Sequence, residues 1–365
     1  MTHTDVSEES QLILDTFSNQ SLLDSVISCI GNIHQEDIQN KFESIIQYLI
    51  VSCSKLPPAH YLEESTSGDK EDPLKTVDAQ LRNGWTTGGG MRVNLKENPD
   101  WDEYKQYSRN VRYKIHSWVM LDSLLTADTL IEGNEYLQFA VDIADDWIQQ
   151  FVISSLKDDF AWYDMAVGQR ATKLAYMLRR MIEIESPTEQ IFRFILASEI
   201  HLSELLDADR IATHSNHGLF QITGLLALCQ NLRWMSKSNG GVIFAEEILQ
   251  KMLKEQFAED GLHLEHSPDY HLYMVNHLQS LKDSEWLSQD FKSMLELVDS
   301  VVGAADWMAT PNHHVIPIGD TANNVFMTKR WAEYQGNLNL GHKFFPIGGL
   351  LINNSDSNTS PSQLI

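Results

Sequence analysis

Basic residues are scarce in this chain. Its 365 residues hold 27 Lys and Arg against 51 Asp and Glu, a formal charge of −24. A surface that tracks nucleic-acid phosphates needs a basic excess, so no nucleic-acid partner is expected. Attraction to an anionic membrane surface needs the same excess and is not expected either. The deficit is not one acidic tail: net charge is −9 over residues 1–100, −6 over 101–200, −8 over 201–300 and −1 over 301–365. Cysteine is nearly absent. Cys29, Cys53 and Cys229 are far apart and form no CxxC, which argues against a disulfide framework or a cysteine-based zinc module. Apolar runs fall far short of the roughly 20 residues of a membrane span. Residues Met1–Glu9 show no basic region followed by an apolar one, so no secretory signal is expected.

Alternating strand patterns are also rare, and the chain reads as helix almost throughout. Ile191, Ile195, Leu202, Leu205 and Leu206 share one face at a 3.6-residue period, and Leu219, Ile222, Leu226 and Cys229 form another stripe. The spacing predicts helices near 9–30, 36–54, 101–130, 134–154, 163–185, 188–210, 217–236, 243–257, 269–281, 286–308 and 322–335. Residues 63–100 read as a polar loop containing Gly88-Gly89-Gly90. Lys343–Ile352 reads as a strand, and Asn353–Ser362 as a disordered tail. So many helices cannot share one four-helix core. Hairpins side by side, each burying its stripe on its neighbours, solve the problem. No fixed-length repeat marks a regular tandem array.

Two segments concentrate chemistry. Ser215-Asn216-His217-Gly218 precedes the stripe that starts at Leu219. It reads as a helix N-terminus, where an amide and an imidazole join free N–H groups that favour anions. A plain cap explains the same residues equally well. Asp260-Gly261-Leu262-His263-Leu264-Glu265-His266-Ser267-Pro268-Asp269-Tyr270-His271 packs three histidines, three acids and a tyrosine into twelve residues. Polar loops hold such residues by default, but this density suits acid–base work. His263, His266, His271, His313 and His314 have no HExxH or other diagnostic metal spacing, so no metal is expected. Trp162-Tyr163-Asp164, followed by Arg170 and Lys173, opens a helix; it reads as a sugar-stacking and carboxylate-pairing patch or as a helix start with an exposed Arg. Gly319-Asp320-Thr321 reads as a cap.

The pair Asn216-His217-Gly218 and Asp260-Gly261…Glu265…Ser267-Pro268…Tyr270-His271 resembles the heparinase II/III-like and oligoalginate lyase family. Trp162…Arg170 and Pro317-Ile318-Gly319-Asp320 add to the likeness, which covers about residues 80–350. The resemblance implies an all-α fold: an incomplete (α/α) toroid of helical hairpins with at most a short β segment at the C-terminus. Together with the residue pattern, which gives a helix pair ended by Pro57-Pro58 and an Asn/Ser-rich tail, the expected organisation is a helix pair at 1–60 packed on or extending the toroid, the toroid at 61–340, the start of a β-sandwich at 341–352 and a disordered tail at 353–365.

The resemblance also implies β-elimination at a uronic acid of an acidic polysaccharide or oligosaccharide. Asn216 matches the carboxylate neutraliser, His217 a second neutraliser or a base, and Tyr270 the proton-exchanging tyrosine. Arg170, Trp162, Glu265 and His271 are the implied substrate contacts. No cofactor is implied. Relatives complete the site with residues from the sandwich, so the expectation is a sandwich that is missing here or supplied separately. Two alternatives stay open. One is a glycoside hydrolase, drafting a carboxylate pair from Asp164, Glu265, Asp269 and Asp320. The other is a glycan-binding homologue without catalysis. Many relatives act outside the cytoplasm, so the missing signal leaves location open. The −24 charge repels polyanions at long range and leans towards a lightly charged uronate glycan over a heavily sulfated one.

Overall fold

A computed structural model describes residues 7–8, 10–11, 22–30, 41–61, 72–87, 91–154, 156–284, 286–288, 290–308, 315–321 and 341–354. The expected helix at 322–335, Gly88-Gly89-Gly90, His313-His314 and most of the expected tail lie outside the described residues. The chain divides into two compact units. The first comprises residues 1–63, 72–213 and 217–245, and the second comprises 64–71, 214–216 and 246–365.

The first unit is built of helices α1 (Leu22–Cys29), α2 (Lys41–Ser54), α3 (Pro73–Asn83), α4 (Arg109–His116), α5 (Asp122–Leu130), α6 (Glu135–Ile148), α7 (Asp164–Glu183), α8 (Thr188–Leu205), α9 (Asn216–Asn231) from its second residue on, and the first turn of α10 (Gly241–Gln256). Neighbours in sequence pack on one another: α5 on α6, α7 on α8, and α6 on both α7 and α8. The predicted stripes face inward, with Ile191, Ile195, Leu202, Leu205, Leu219, Ile222 and Leu226 all buried. Burying each such side chain is worth about 1.5–3 kcal/mol. All three cysteines are buried free thiols. Burial pushes the Cys53 thiol up to about 11 and the Cys229 thiol up to about 12, so neither is poised to react.

Two expectations need correction here. The stretch read as a loop holds α3. Asp72 caps it by accepting the Leu74 N–H at 3.1 Å, Pro73 fills its first turn, and Val77 is its buried contact. It also holds the two-residue strands β1 (Trp85–Thr86) and β2 (Arg92–Val93), paired antiparallel. The helix expected over 101–130 is broken. Trp118 adopts φ +59°, and Ser117 Oγ bonds back to Tyr113 O. The break drops the Trp118 indole, fully buried, onto Trp147 at 5.4 Å and 87°. Its gain is tertiary packing, so no local proline or glycine announces it.

The second unit contains the rest of α10, α11 (Pro268–Asp283), α12 (Lys292–Ala305) and an antiparallel hairpin of β3 (Gly341–Phe345) and β4 (Leu350–Asn354). The single strand expected at Lys343–Ile352 is therefore two strands, folded back at the Pro346–Gly349 turn. One face of the hairpin puts Phe345 and Ile352 into a core with Leu262, Ala304, Met308 and Ile316. The other face leaves Phe344 and its cross-strand partner Leu351 exposed.

Candidate active site

His217 lies in the first turn of α9. Its Nδ1 sits 3.2 Å from Asp164 Oδ1, at the first residue of α7. The imidazole stands edge-on to the Tyr163 ring at 5.7 Å, and Tyr163 in turn meets Tyr113 at 6.0 Å. Tyr113 Oη donates to Gln169 Oε1 at 2.7 Å. The loop leading into α7 is pinned by Asp158, which accepts two bonds from Arg112 Nη2 at 3.0 and 3.1 Å and lies 3.3 Å from His116 Nε2. Burial opposes the Asp158 charge, but bonds from His116 and the Phe160 N–H, with the Arg112 charge, hold its carboxyl well below the usual range.

Arg170 and Trp162 belong to the enclosed interior. The sequence left Arg170 as a substrate contact or an exposed helix residue; it is neither, being 0% exposed. Its Nη1 donates to His116 O and its Nε to His201 Nε2 at 3.2 Å. The guanidinium carbon lies 4.2 Å from the centroid of Trp147 and 5.5 Å from that of Trp162. Burial, then the Arg170 charge, lowers His201 to about 3, so it stays the neutral acceptor that Arg170 needs. Lys173 is also enclosed and pairs with Asp122 at 2.9 Å.

In the second unit the motif around Tyr270 divides into buried and exposed members. Gly261, at φ +86°, turns the chain tightly against Ser300, where a Cβ would strike backbone. His271, expected to touch substrate, is fully buried. Its Nδ1 accepts the His263 N–H at 3.2 Å and its Nε2 donates to Val301 O at 2.9 Å, which uses both ring nitrogens. Burial lowers His271 to about 3 and, helped by His266, lowers His263 to about 4. His266 Nε2 donates to Gly348 O at 2.8 Å, and Asp260 Oδ2 accepts the N–H groups of Ile347 and Gly348 at 2.9 and 3.1 Å. These two residues clamp the β3–β4 turn. Glu265 and Tyr270 are exposed, with Tyr270 in the first turn of α11. Thr321, read as a cap on a following helix, accepts the Asp269 N–H at 3.1 Å and so caps α11.

The two predicted segments are joined through Gln256, which sequence reading missed. Its Nε2 donates to Ser215 O at 3.2 Å, next to Asn216, and its own carbonyl accepts the Leu264 N–H at 2.8 Å. No sequence signal singles out Gln256. Asp164 was legible as a helix-start acid, but its partner was not. Its commitment to His217 makes it a poor member of a hydrolase carboxylate pair.

Among the described residues, no group of three or more His, Cys, Asp or Glu is placed to hold a metal ion, and no helix is long and apolar enough to cross a membrane. A cavity of about 820 Å³ near the C-terminal end of α9 is lined by Tyr48, Arg233, Trp234 and Asn239, among others, and by none of the predicted site residues.

Residues 74–336 match the family model described as Heparinase II/III N-terminus. This is well over half of the chain, and the protein belongs to the heparinase II/III family. Its fold is similar to that of a heparan sulfate lyase HepC mutant from Pedobacter heparinus, with a TM-score of 0.58 and 15% identity over 81% of this chain and 50% of that one. It is also similar to heparinase III, with a TM-score of 0.57 and 16% identity over 79% and 48% of the two chains. The heparinase III BT4657 gene product gives a TM-score of 0.55 at 14% identity, over 80% and 50%. These likenesses place the fold in the all-α, incomplete (α/α) toroid class with only short β segments. The chain spans about half the length of the solved structures it matches. No curated protein matches it by sequence.

Proposed function

We propose that this protein is polysaccharide lyase-like and acts by β-elimination on a glycan containing uronic acid, together with a C-terminal β-sandwich. The reaction removes the C5 proton, breaks the bond from C4 to its oxygen, forms the C4–C5 double bond and returns a proton to the leaving oxygen. Its obstacle is the weak acidity of C5 beside a charged carboxylate. Donors aimed at that carboxylate lower the barrier.

Asn216, the first residue of α9, takes this role beside a helix end whose free N–H groups favour anions. His217 works next to it. Tyr270, in the first turn of α11, exchanges protons with C5 and the leaving oxygen. Glu265 is an exposed substrate contact. Arg170, Trp162 and His271 are support for the site, because their side chains are enclosed. The observation that carries the reading is the Gln256 bridge, which ties the Asn216 segment to the Tyr270 segment through hydrogen bonds within one unit. The exposed Phe344–Leu351 face of the hairpin supports a sheet packed over it.

The test is incubation with a panel of uronate polymers, with and without a supplied sandwich domain, following absorbance of the unsaturated product. Product is expected from lightly charged uronates, with a rate that rises with moderate salt as the repulsion from the −24 body is screened. Tyr270→Phe is expected to lose at least about 100-fold in turnover while keeping the wild-type helical spectrum. No product from any polymer, or full turnover by Tyr270→Phe, would refute the proposal.

A further inference from the structure

We infer that Asp164 is a positioning residue that fixes the tautomer of His217, leaving His217 Nε2 as a proton acceptor. The inference rests on the role given to His217 above and chooses between the two functions open to it. Asp164 Oδ1 faces Nδ1 at 3.2 Å. A carboxylate only accepts, so Nδ1 carries the proton of the neutral ring and Nε2 presents its lone pair. The Asp164 side chain is 7% exposed and that of His217 is 28% exposed, so the pair is anchored inside and open on the imidazole side. In this state the ring can accept a proton at Nε2. It cannot donate a bond to the substrate carboxylate unless it is first protonated.

The helices leave the pair little room to separate. One turn along α7 from Asp164, Gly168 meets α9 so closely that a Cβ would lie 2.5 Å from the backbone of Phe220, one turn along from His217. Gly224 repeats the contact, where a Cβ would collide with Gly168 O. Two glycines therefore set the separation of two helix starts, and the starts carry Asp164 and His217. The loop ahead of α9 is held too: Gln221 Oε1 accepts the Ala212 N–H at 2.9 Å and Gln221 Nε2 donates to Arg210 O at 3.0 Å. Tyr163 packs on the imidazole edge. Such support behind a working group is what holds a reactive geometry within tolerance.

Long-range proton–nitrogen NMR on the full chain with labelled histidine reads the tautomer directly, with the His217 signals assigned by their loss in His217→Gln. An unconstrained neutral histidine prefers its proton on Nε2. The wild-type protein is expected to show it on Nδ1, and Asp164→Ala is expected to move it to Nε2. Nε2–H in the wild type, or an unchanged tautomer in Asp164→Ala, would overturn the inference. The wild-type spectrum decides this even if the variant folds poorly. On a polymer that the wild type cleaves, Asp164→Asn is expected to lower kcat roughly 10- to 100-fold with KM changed less than about threefold. An unchanged kcat overturns the positioning role. If the wild type cleaves no polymer, the lyase reading falls, and the tautomer assignment is still judged by the spectrum.

Discussion

The start of α7 and the segment Asp260–His271 both drew attention as sequence, and they turn out to be built differently. At α7 the polar side chains mostly face one another. Asp164 holds His217, Asp158 holds Arg112 and His116, and Arg170 lies among indoles. In Asp260–His271 the polar side chains face backbone. His271 serves the His263 N–H and Val301 O, His266 serves Gly348 O, and Asp260 serves two N–H groups of the hairpin turn. One region uses charge to fix side chains, and the other uses side chains to fix the chain. Clusters of titratable residues therefore look alike in sequence whether they serve chemistry or architecture. Burial and partners separate the two uses.

The largest effect expected from breaking this contrast is at Arg170. Arg170→Leu removes a fully enclosed cation and leaves the His116 carbonyl and His201 without their donor. A loss of roughly 3–5 kcal/mol in unfolding free energy is expected, read from denaturant midpoints. A loss below about 1 kcal/mol would show that the indole packing, and not the cation, holds the region.

Next comes the acid response of the buried histidines in the second unit, His271, His263 and His277. His271 is lowered to about 3 and His263 and His277 to about 4, each chiefly by burial, from an unfolded value of about 6.5. Above pH 6.5 neither state is protonated at these sites, and their full stability is present. As pH falls below 6.5 the unfolded chain binds protons that the folded chain refuses, so stability drops until the folded values are passed. Each group contributes up to about 1.4 kcal/mol per pH unit. His271→Gln is expected to flatten the stability-against-pH curve between pH 6 and 4 by about that slope. Tyr270→Phe should leave the slope unchanged. Parallel curves for His271→Gln and the wild type would mean that His271 is not held neutral.

A smaller loss is expected from Asp260→Ala, which removes the acceptor for Ile347 and Gly348. Two hydrogen bonds at a partly exposed turn are worth about 1–3 kcal/mol together. Hydrogen exchange at these two amides should speed up while exchange in α11 stays protected. Equal acceleration in α11 would show that the clamp also holds the helix.

The same contrast explains what the sequence disclosed. The stripes of α8 and α9 were legible because burial imposes a 3.6-residue period. The break at Trp118 was not, since it is driven by packing on Trp147, which lies far off in the chain. α3 was passed over because its polar residues outnumber its apolar ones, although Asp72-Pro73 spelled its start. The residues proposed to carry the reaction, Asn216, His217 and Tyr270, could be named from their types and family likeness. Gln256 and the Asp164–His217 pair could not, because their partners are 41 and 53 residues away. Arg170 and His271 were misjudged for one reason: residue type suggests chemistry but says nothing about burial.

The smallest expected change in stability is at His217. Its hydrogen bond with Asp164 has one side chain 28% exposed, and the backbone contact at Gly168 and Gly224 holds the helices without it. A single hydrogen bond at a partly exposed site contributes about 1 kcal/mol or less. His217→Ala is therefore expected to lower unfolding free energy by no more than about 0.5–1 kcal/mol. Gly224→Val, which removes no polar side chain, should cost more, about 1–3 kcal/mol from overpacking against Gly168. If His217→Ala proved the costlier of the two in denaturant unfolding, the imidazole would be part of what holds α7 to α9. The division between residues that shape the site and residues that work in it would then fail at its central member. The predicted order leaves His217 as a side chain that the fold positions and does not need.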